Sequence, residues 1–352
     1  MKSIQADTYL IHFQEEAYKE LNDLIVKKKY STLFILVDEN TFEHCYPNFM
    51  SNLETDKAIE VIEIESGEIN KNIDTCVGVW NAITELGADR KSLIITLGGG
   101  VISDLGGFVA STYKRGIDFV NVPTTLLSMV DASVGGKTGI DLGVLKNQIG
   151  LFSNPELVLI DSNFLTTLSD KEIKSGVAEI IKYGLTYDIK LFDDVMYVKD
   201  LVYSDLIYKS ICIKNKIVLQ DPKENSLRKV LNFGHTIGHA IESFYLESDD
   251  KNNLTHGEAI AIGMICESYI SYKLLEFPEQ NLSKIKETIL SIYNKIHLLK
   301  QDFSSILDLL KHDKKNINGQ INFVLLKDIE SHKLDCAVDT ELIIESLNFY
   351  NS

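Results

Sequence analysis

The chain has 352 residues, 45% of them hydrophobic and 24% charged, with a formal net charge of −16. An acidic excess of that size disfavours nucleic acid or an anionic membrane as partner, and the length suggests two domains, each able to bury a core. The cysteines Cys45, Cys76, Cys212, Cys266 and Cys336 are scattered without a CxxC pair, which argues for reduced thiols rather than a disulfide frame or a zinc knuckle.

In chain order, the opening MKSIQADTYLIHFQEEAYKE is mixed and acidic, without the charged-then-apolar order of a secretory signal. No apolar run approaches the roughly 20 residues of a membrane span, so the cytoplasm is the expected address. TLFILVD (32–38), AIEVIEI (58–64) and SLIITLGGG (92–100) read as strands, with NKNIDTCVGVWNAITELG (70–87) as a helix between the last two. GIDFVNVP (116–123) and ELVLID (156–161) add further strands. Alternating strands and helices imply a mostly parallel sheet covered by helices. Beyond Asn163 helical periodicity takes over through 170–220, 228–248, 256–275 and 280–310. The exception is NINGQINFVLL (316–326), where Asn318-Gly319 suggests a short hairpin. The expected division is an α/β domain over 1–161 and an α-helical domain over 162–352. No internal repeat or low-complexity tract interrupts it.

Three stretches carry chemistry. In LIITLGGGVISDLGGFVAS (93–111) a buried strand runs through glycines into a helix with Asp104 near its start. Such a turn brings backbone N–H groups close to a pyrophosphate, although its spacing is not GxGxxG and a tight strand–helix turn alone would read the same. Asp38 at a strand end, with Glu68 and Lys71 in SGEINK, lie where an α/β sheet offers its ligand crevice. In VPTTLLSMVDASVGGKTGIDLGVLKNQIGLF (122–152), Thr124, Thr125, Asp131, Gly135-Gly136-Lys137 and Lys146-Asn147 combine flexible backbone amides with cations, a pattern suited to phosphate.

The third stretch is LRKVLNFGHTIGHAIE (227–242), read as one helix. His235 and His239 stand at i and i+4, on one face. Arg228 and Asn232 precede His235 by seven and three positions, so a continuous helix aims all of them into one pocket. HTIGH lacks the glutamate of a metalloprotease helix. With His256 in HGEAIAIGM and Glu179 in SGVAEIIKYG, one turn before Lys182, three or four N/O ligands from separate helices suit a divalent metal, zinc fitting best. Helix geometry alone permits both His235 and His239 as ligands. His12, His44, His297, His312 and His332 lie in mixed or charged contexts that suit surface or core.

With these residues in view, the chain resembles the 3-dehydroquinate synthase family over its whole length. The resemblance rests on GGGVISDLGGFVAS, YKRG, VPTTLLSMVDASVGGKTGID, KNQIGLF, VAEIIKYG, LRKVLNFGHTIGHAIE, HGEAIAIGM and DKK, in the family's order. Ser103 replaces the glycine usual before the aspartate.

The resemblance implies a Rossmann-like NAD-binding domain followed by a helical metal domain, with the active site in the cleft between them, and a homodimer. It implies conversion of 3-deoxy-D-arabino-heptulosonate 7-phosphate to 3-dehydroquinate and phosphate: transient oxidation by NAD+, phosphate elimination, reduction, ring opening and aldol closure. Residue by residue it implies Glu179, His235 and His256 as ligands of zinc or cobalt, with His239 beside them handling protons. Asp38, Glu68, Lys71, Gly99, Gly100, Asp104, Thr124, Thr125 and Thr167 match NAD contacts, with Lys146 on the nucleotide side. Asp131, Lys137, Asn147, Lys182, Lys214, Arg228 and Asn232 match the substrate pocket. Arg115 is expected to reach the neighbouring subunit's phosphate site, and Lys314 or Lys315 the chain's own. The alternatives are another sugar-phosphate cyclase, such as 2-deoxy-scyllo-inosose synthase, and a metal-dependent polyol dehydrogenase, which would release NADH.

Overall fold

Runs of buried aliphatic residues decide the first part of the fold. The computed structural model describes residues 1–143, 145–197, 201–248, 251, 253–311 and 321–352. Its early strands are β1 (Ile4–Gln5), β2 (Leu10–Phe13), β3 (Thr32–Asp38), β4 (Ala58–Ile64), β5 (Leu93–Gly98), β6 (Asp118–Pro123), β7 (Lys137–Leu142), β8 (Leu145–Phe152) and β9 (Leu157–Ile160). Seven of them form one sheet in the order β1-β2-β9-β6-β5-β3-β4. Only β1 and β2 pair antiparallel in it; every other pairing is parallel. The apolar runs of β3 and β5 are buried almost throughout, as central strands under helices must be. The helices are α1 (Gln14–Lys28), α2 (Glu39–His44), α3 (Tyr46–Ser51), α4 (Ile73–Glu85) and α5 (Gly100–Thr112). α1 packs on β9 and β2, and α5 on β5 and β6.

The strand order also locates a crevice. β4 follows β3 in the chain and lies on one side of it, while β5 lies on the other. The direction of travel across the sheet therefore reverses between β3 and β5, and ligands bind at the C-terminal ends of strands flanking such a reversal. Asp38 ends β3, and Gly98-Gly99-Gly100 carries β5 into α5.

After Ser169 the chain enters a second compact unit through α6 (Asp170–Thr186) and α7 (Ile189–Tyr197). It returns to the first for α8 (Tyr203–Gln220). It then re-enters the second with α9 (His235–Glu247), α10 (His256–Leu275), α11 (Glu279–Ile292), α12 (Phe303–Lys311), β10 (Asn322–Asp328), β11 (Ser331–Ala337) and α13 (Thr340–Asn351). The units are Met1–Ser169 with Tyr203–Leu219, and Asp170–Val202 with Gln220–Ser352. This corrects a single boundary after residue 161. The physical reason is what α8 buries: Leu206, Ile207, Ile211 and Ile217 are inaccessible, the Tyr208 ring lies 5.3 Å from that of Phe13, and Asn215 Nδ2 donates to Gln5 O at 2.8 Å.

Three further expectations are adjusted. Residues 227–242 are not one helix: a 3-10 turn over Leu227–Asn232 ends at Phe233, Gly234 adopts φ +79°, and α9 starts at His235. The predicted turn Asn318-Gly319 lies outside the described residues, while the hairpin observed, β10 with β11, turns later, with Glu330 at φ +62°. β7 and β8, a stretch that the sequence offers only as flexible backbone amides with cations, form a separate antiparallel hairpin in which Gly139 faces Gly150.

Within the second unit α10 packs against α6, α9 and α13 and is buried along most of its length. Its first turn comes down to backbone contact with α6: a Cβ on Gly257 would lie 2.4 Å from Ser175 Cα. All five cysteines are free. Among the described residues no helix is long and apolar enough to cross a membrane.

Candidate active site

The second unit gathers four of the expected side chains. Glu179 lies midway along α6 and is fully buried, and His235 and His256 are the first residues of α9 and α10. His239 follows one turn into α9. Ring centroids are 5.1 Å apart for His235 and His239, 5.4 Å for His235 and His256, and 5.7 Å for His239 and His256. One nitrogen from each ring lies within 4.8 Å of the other two. Glu179 Oε1 stands 3.2 Å from His235 Nε2 and 3.5 Å from His256 Nε2, yet accepts no well-formed hydrogen bond.

A buried carboxylate oxygen without a hydrogen bond, facing imidazole nitrogens, is costly unless something electropositive sits among them. A borderline divalent cation fits this N/O donor set. The geometry brings Glu179 and all three histidines together and does not by itself choose among them.

The start of α9 is anchored from α10. Glu267, fully buried, accepts from Gly234 N at 2.7 Å, Thr236 N at 3.0 Å and Ile237 N at 3.1 Å, satisfying N–H groups that a helix start leaves open. The Nδ1 of His235 meets Phe233 O at 3.0 Å, and that of His256 meets Glu242 Oε2 at 3.1 Å. Glu242 and Glu267 were not singled out from sequence, although Glu242, seven residues after His235, shares its face by simple helix periodicity.

Electrostatics favour ligation at two of these groups. Burial opposes ionisation of Glu179, but the Lys182 ammonium bonded to it and the His235 ring hold its carboxyl well below the usual range. Burial and the same Lys182 charge push His235 down, towards the neutral imidazole that ligates. Burial also lowers His256, but the Glu242 charge and the nearby Glu179 carboxylate outweigh it and raise the ring to about 9.

Nearby in sequence, Arg228 is buried: its N–H donates to Asp221 Oδ2 at 2.9 Å and its Nη1 to Pro222 O at 2.7 Å. Asn232 Nδ2 donates to Glu224 Oε1 at 2.9 Å. The break at Phe233-Gly234 means that neither shares a helix with His235.

The first unit assembles the expected cofactor-side residues. Lys71 is buried and donates to Asp104 Oδ2 at 2.5 Å and Asn147 Oδ1 at 2.7 Å. Lys146 pairs with Glu68 at 2.8 Å. Burial disfavours the Lys71 charge, but Asp104, Glu68 and Asp141 more than offset it and raise the ammonium. Asn147 sits at φ +52°, with its N–H donating to Asp141 Oδ1 at 2.6 Å. Asp141 also escaped the sequence reading, because the hairpin that brings it there did.

Gly99 caps α5, and a Cβ on it would lie 3.1 Å from Thr125 Cγ2; Thr124 N donates to Gly98 O at 3.0 Å. Asp131 Oδ1 pairs with Lys214 of α8 at 2.8 Å. Lys137 begins β7 after the left-handed Gly135 and Gly136.

Other expected residues lie outside these groupings. Asp38 accepts from Thr41 N at 2.8 Å as the cap of α2. Thr167 is exposed, with its hydroxyl donating to Phe164 O at 3.3 Å. Arg115 is exposed in a turn where Lys114, Arg115 and Gly116 all have positive φ. Lys314 and Lys315 lie outside the described residues.

Residues 61–175 match the 3-dehydroquinate synthase N-terminal family, and residues 176–316 match its C-terminal counterpart. The chain belongs to the 3-dehydroquinate synthase family. The 3-dehydroquinate synthase of Parabacteroides distasonis is 43% identical over 336 residues, 94% of each chain. Among solved structures, a 2-deoxy-scyllo-inosose synthase complexed with carbaglucose-6-phosphate, NAD+ and Co2+ is 25% identical with a TM-score of 0.84, covering 98% of this chain and 99% of its own. The 2-epi-5-epi-valiolone synthase of Streptomyces hygroscopicus, with NAD+ and Zn2+ bound, shares the fold at 23% identity and a TM-score of 0.85, covering 99% of this chain and 98% of its own. The family's members are lyases of aromatic biosynthesis, and the mostly parallel sheet followed by helices is the fold these synthases share.

Proposed function

We propose that the chain converts 3-deoxy-D-arabino-heptulosonate 7-phosphate to 3-dehydroquinate and inorganic phosphate, as a cytoplasmic enzyme of the shikimate pathway. The observation that carries this is Glu179 Oε1, buried and facing His235 and His256 Nε2, in a chain matched by both halves of the family. The 43% identity to a 3-dehydroquinate synthase, against 25% to an inosose synthase, favours the heptulosonate over glucose 6-phosphate.

Glu179, His235 and His256 would hold zinc or cobalt; Asp38, Glu68, Lys71, Gly99, Gly100, Asp104, Thr124, Thr125, Lys146 and Thr167 would hold NAD. When bound, these groups supply reversible oxidation of the substrate's secondary alcohol and stabilise the negative charge developing on it. His239 moves the hydroxyl proton at a ring nitrogen. Once that carbon is a ketone, the neighbouring C–H is acidified, and phosphate leaves as that proton is removed.

Lys137, Lys182, Lys214 and Asn147 bind the phosphate and hydroxyls, where fixed cations lower the cost of the departing charge. Asp131 holds Lys214 by its ion pair. Arg228 takes the carboxylate as a guanidinium fork, with Asn232 beside it. Arg115 reaches the phosphate of a second copy in a homodimer, from an exposed turn of three positive-φ residues.

The test is to incubate purified protein with NAD+, zinc and the heptulosonate phosphate. The expected result is phosphate release with no net absorbance gain at about 340 nm, since the oxidation is reversed within each turnover. Stoichiometric NADH would replace this reading with a polyol dehydrogenase.

A further inference from the structure

We propose that Glu242 is a positioning residue for the metal centre, orienting His256 and balancing the charge that Lys182 brings to it. The proposal rests on His256 being a ligand and names a group outside the ligand set.

The His256 ring is flanked at both ends. Its Nδ1 is 3.1 Å from Glu242 Oε2, and its Nε2 is 3.5 Å from Glu179 Oε1. With Nδ1–H committed to Glu242, the Nε2 lone pair is the one turned towards Glu179. His235 has the corresponding arrangement, with the Phe233 carbonyl at Nδ1 and Glu179 at Nε2. An acceptor behind a ligating imidazole fixes its tautomer and raises its basicity.

The two supports differ in charge, and Lys182 explains why one of them should be anionic. Its ammonium is buried against Glu179, so the Glu179 carboxylate arrives already neutralised by a cation. Two histidines and a neutralised carboxylate give a divalent ion no net negative charge. Glu242, also buried, restores one. It extends from the turn of α9 after His239, so the helix that supplies two histidines also holds the third from behind.

The experiment titrates apo protein with zinc against a competing chelator, for the wild type, Glu242→Gln, Glu242→Ala and His256→Ala. Glutamine keeps an acceptor for Nδ1–H but loses the charge, so Glu242→Gln is expected to weaken affinity by about 10-fold and Glu242→Ala by about 100-fold, the range of a lost orienting partner. Cobalt spectra of the Glu242 variants should shift, and the apo melting temperature of Glu242→Gln should stay near that of the wild type. A purely structural carboxylate would lower the apo melting temperature and leave the affinity unchanged, and that outcome overturns the proposal. His256→Ala separates the layers: if it binds zinc as tightly as the wild type, the ligand assignment itself fails. If Glu242→Ala does not fold, Glu242→Gln alone decides.

Discussion

Gly263 of α10 and Gly234, just before α9, meet backbone to backbone: a Cβ built on Gly263 would lie 1.9 Å from Gly234 O. Neither partner is a side chain that could turn aside, so Gly263→Ala must move one helix start against the other. Overpacking costs about 1–3 kcal/mol, and a backbone obstacle belongs at the upper end. Because His235 directly follows Gly234, the displacement also spreads the proposed metal ligands. The expected outcome is a lower melting temperature together with lost metal, measured by calorimetry and metal analysis.

The histidines should separate by role. His235→Ala and His256→Ala are expected to purify without metal, each having lost a ligand. His239→Ala should keep the metal and turn over about 10²–10⁴-fold more slowly, the span of a lost acid–base group. Metal analysis that finds His239→Ala empty and His256→Ala full would reverse the roles.

For Arg228 the expectation concerns substrate choice. Arg228→Ala should retain metal while kcat/KM for the heptulosonate phosphate falls about 10²-fold or more, the scale of a lost charge-assisted contact. Arg228→Lys should recover little, since a point charge cannot reproduce the planar fork. Unchanged kinetics, or turnover of glucose 6-phosphate by the wild type, would remove Arg228 from the carboxylate.

Asp141 predicts a pH dependence. Burial raises its carboxyl from 3.8 to about 6, against the pull of Lys71. The folded protein therefore holds this proton more tightly than the unfolded chain does. The stabilisation is complete below about pH 4 and is lost as pH rises through about 6. Asp141→Asn should remove that slope, so its stability relative to wild type should rise by up to about 2–3 kcal/mol between pH 4 and pH 7. Urea denaturation at a series of pH values reads the difference directly.

What the sequence shows and what it hides follow from the range of each interaction. β3 and β5 are legible because a strand buried on both faces must be almost wholly apolar, and LFILV and LIITL are, with Thr96 the one polar residue, its hydroxyl bonded to Asn121. Glu179, His235, His239 and His256 are legible as residue types that need a reason to be buried together. The break at Phe233-Gly234 is not, because apolar periodicity continues across it; the constraint is the contact with Gly263, which is 29 positions away by residue number. The β7–β8 hairpin is hidden by its glycines, which erase the alternation of a strand. Asp141 is hidden with it. Glu267 and Glu242 look like ordinary surface acids until α9 and α10 are seen to cross.

A ribosome delivers the chain in one direction, and α8 has to be read with that in mind. Lys214 finds its partner Asp131 at a separation of 83 positions along the chain, and α6 and α7 of the other unit are synthesised in between. The first unit therefore cannot finish folding when its last strand emerges. Its sheet must wait, with Phe13 and Gln5 lacking the α8 partners Tyr208 and Asn215, until roughly sixty more residues have left the exit tunnel, a few seconds at ordinary elongation rates. During those seconds the nascent chain is a client for whatever holds exposed apolar surface in the cell, and a fragment cut after Ser169 would remain one permanently.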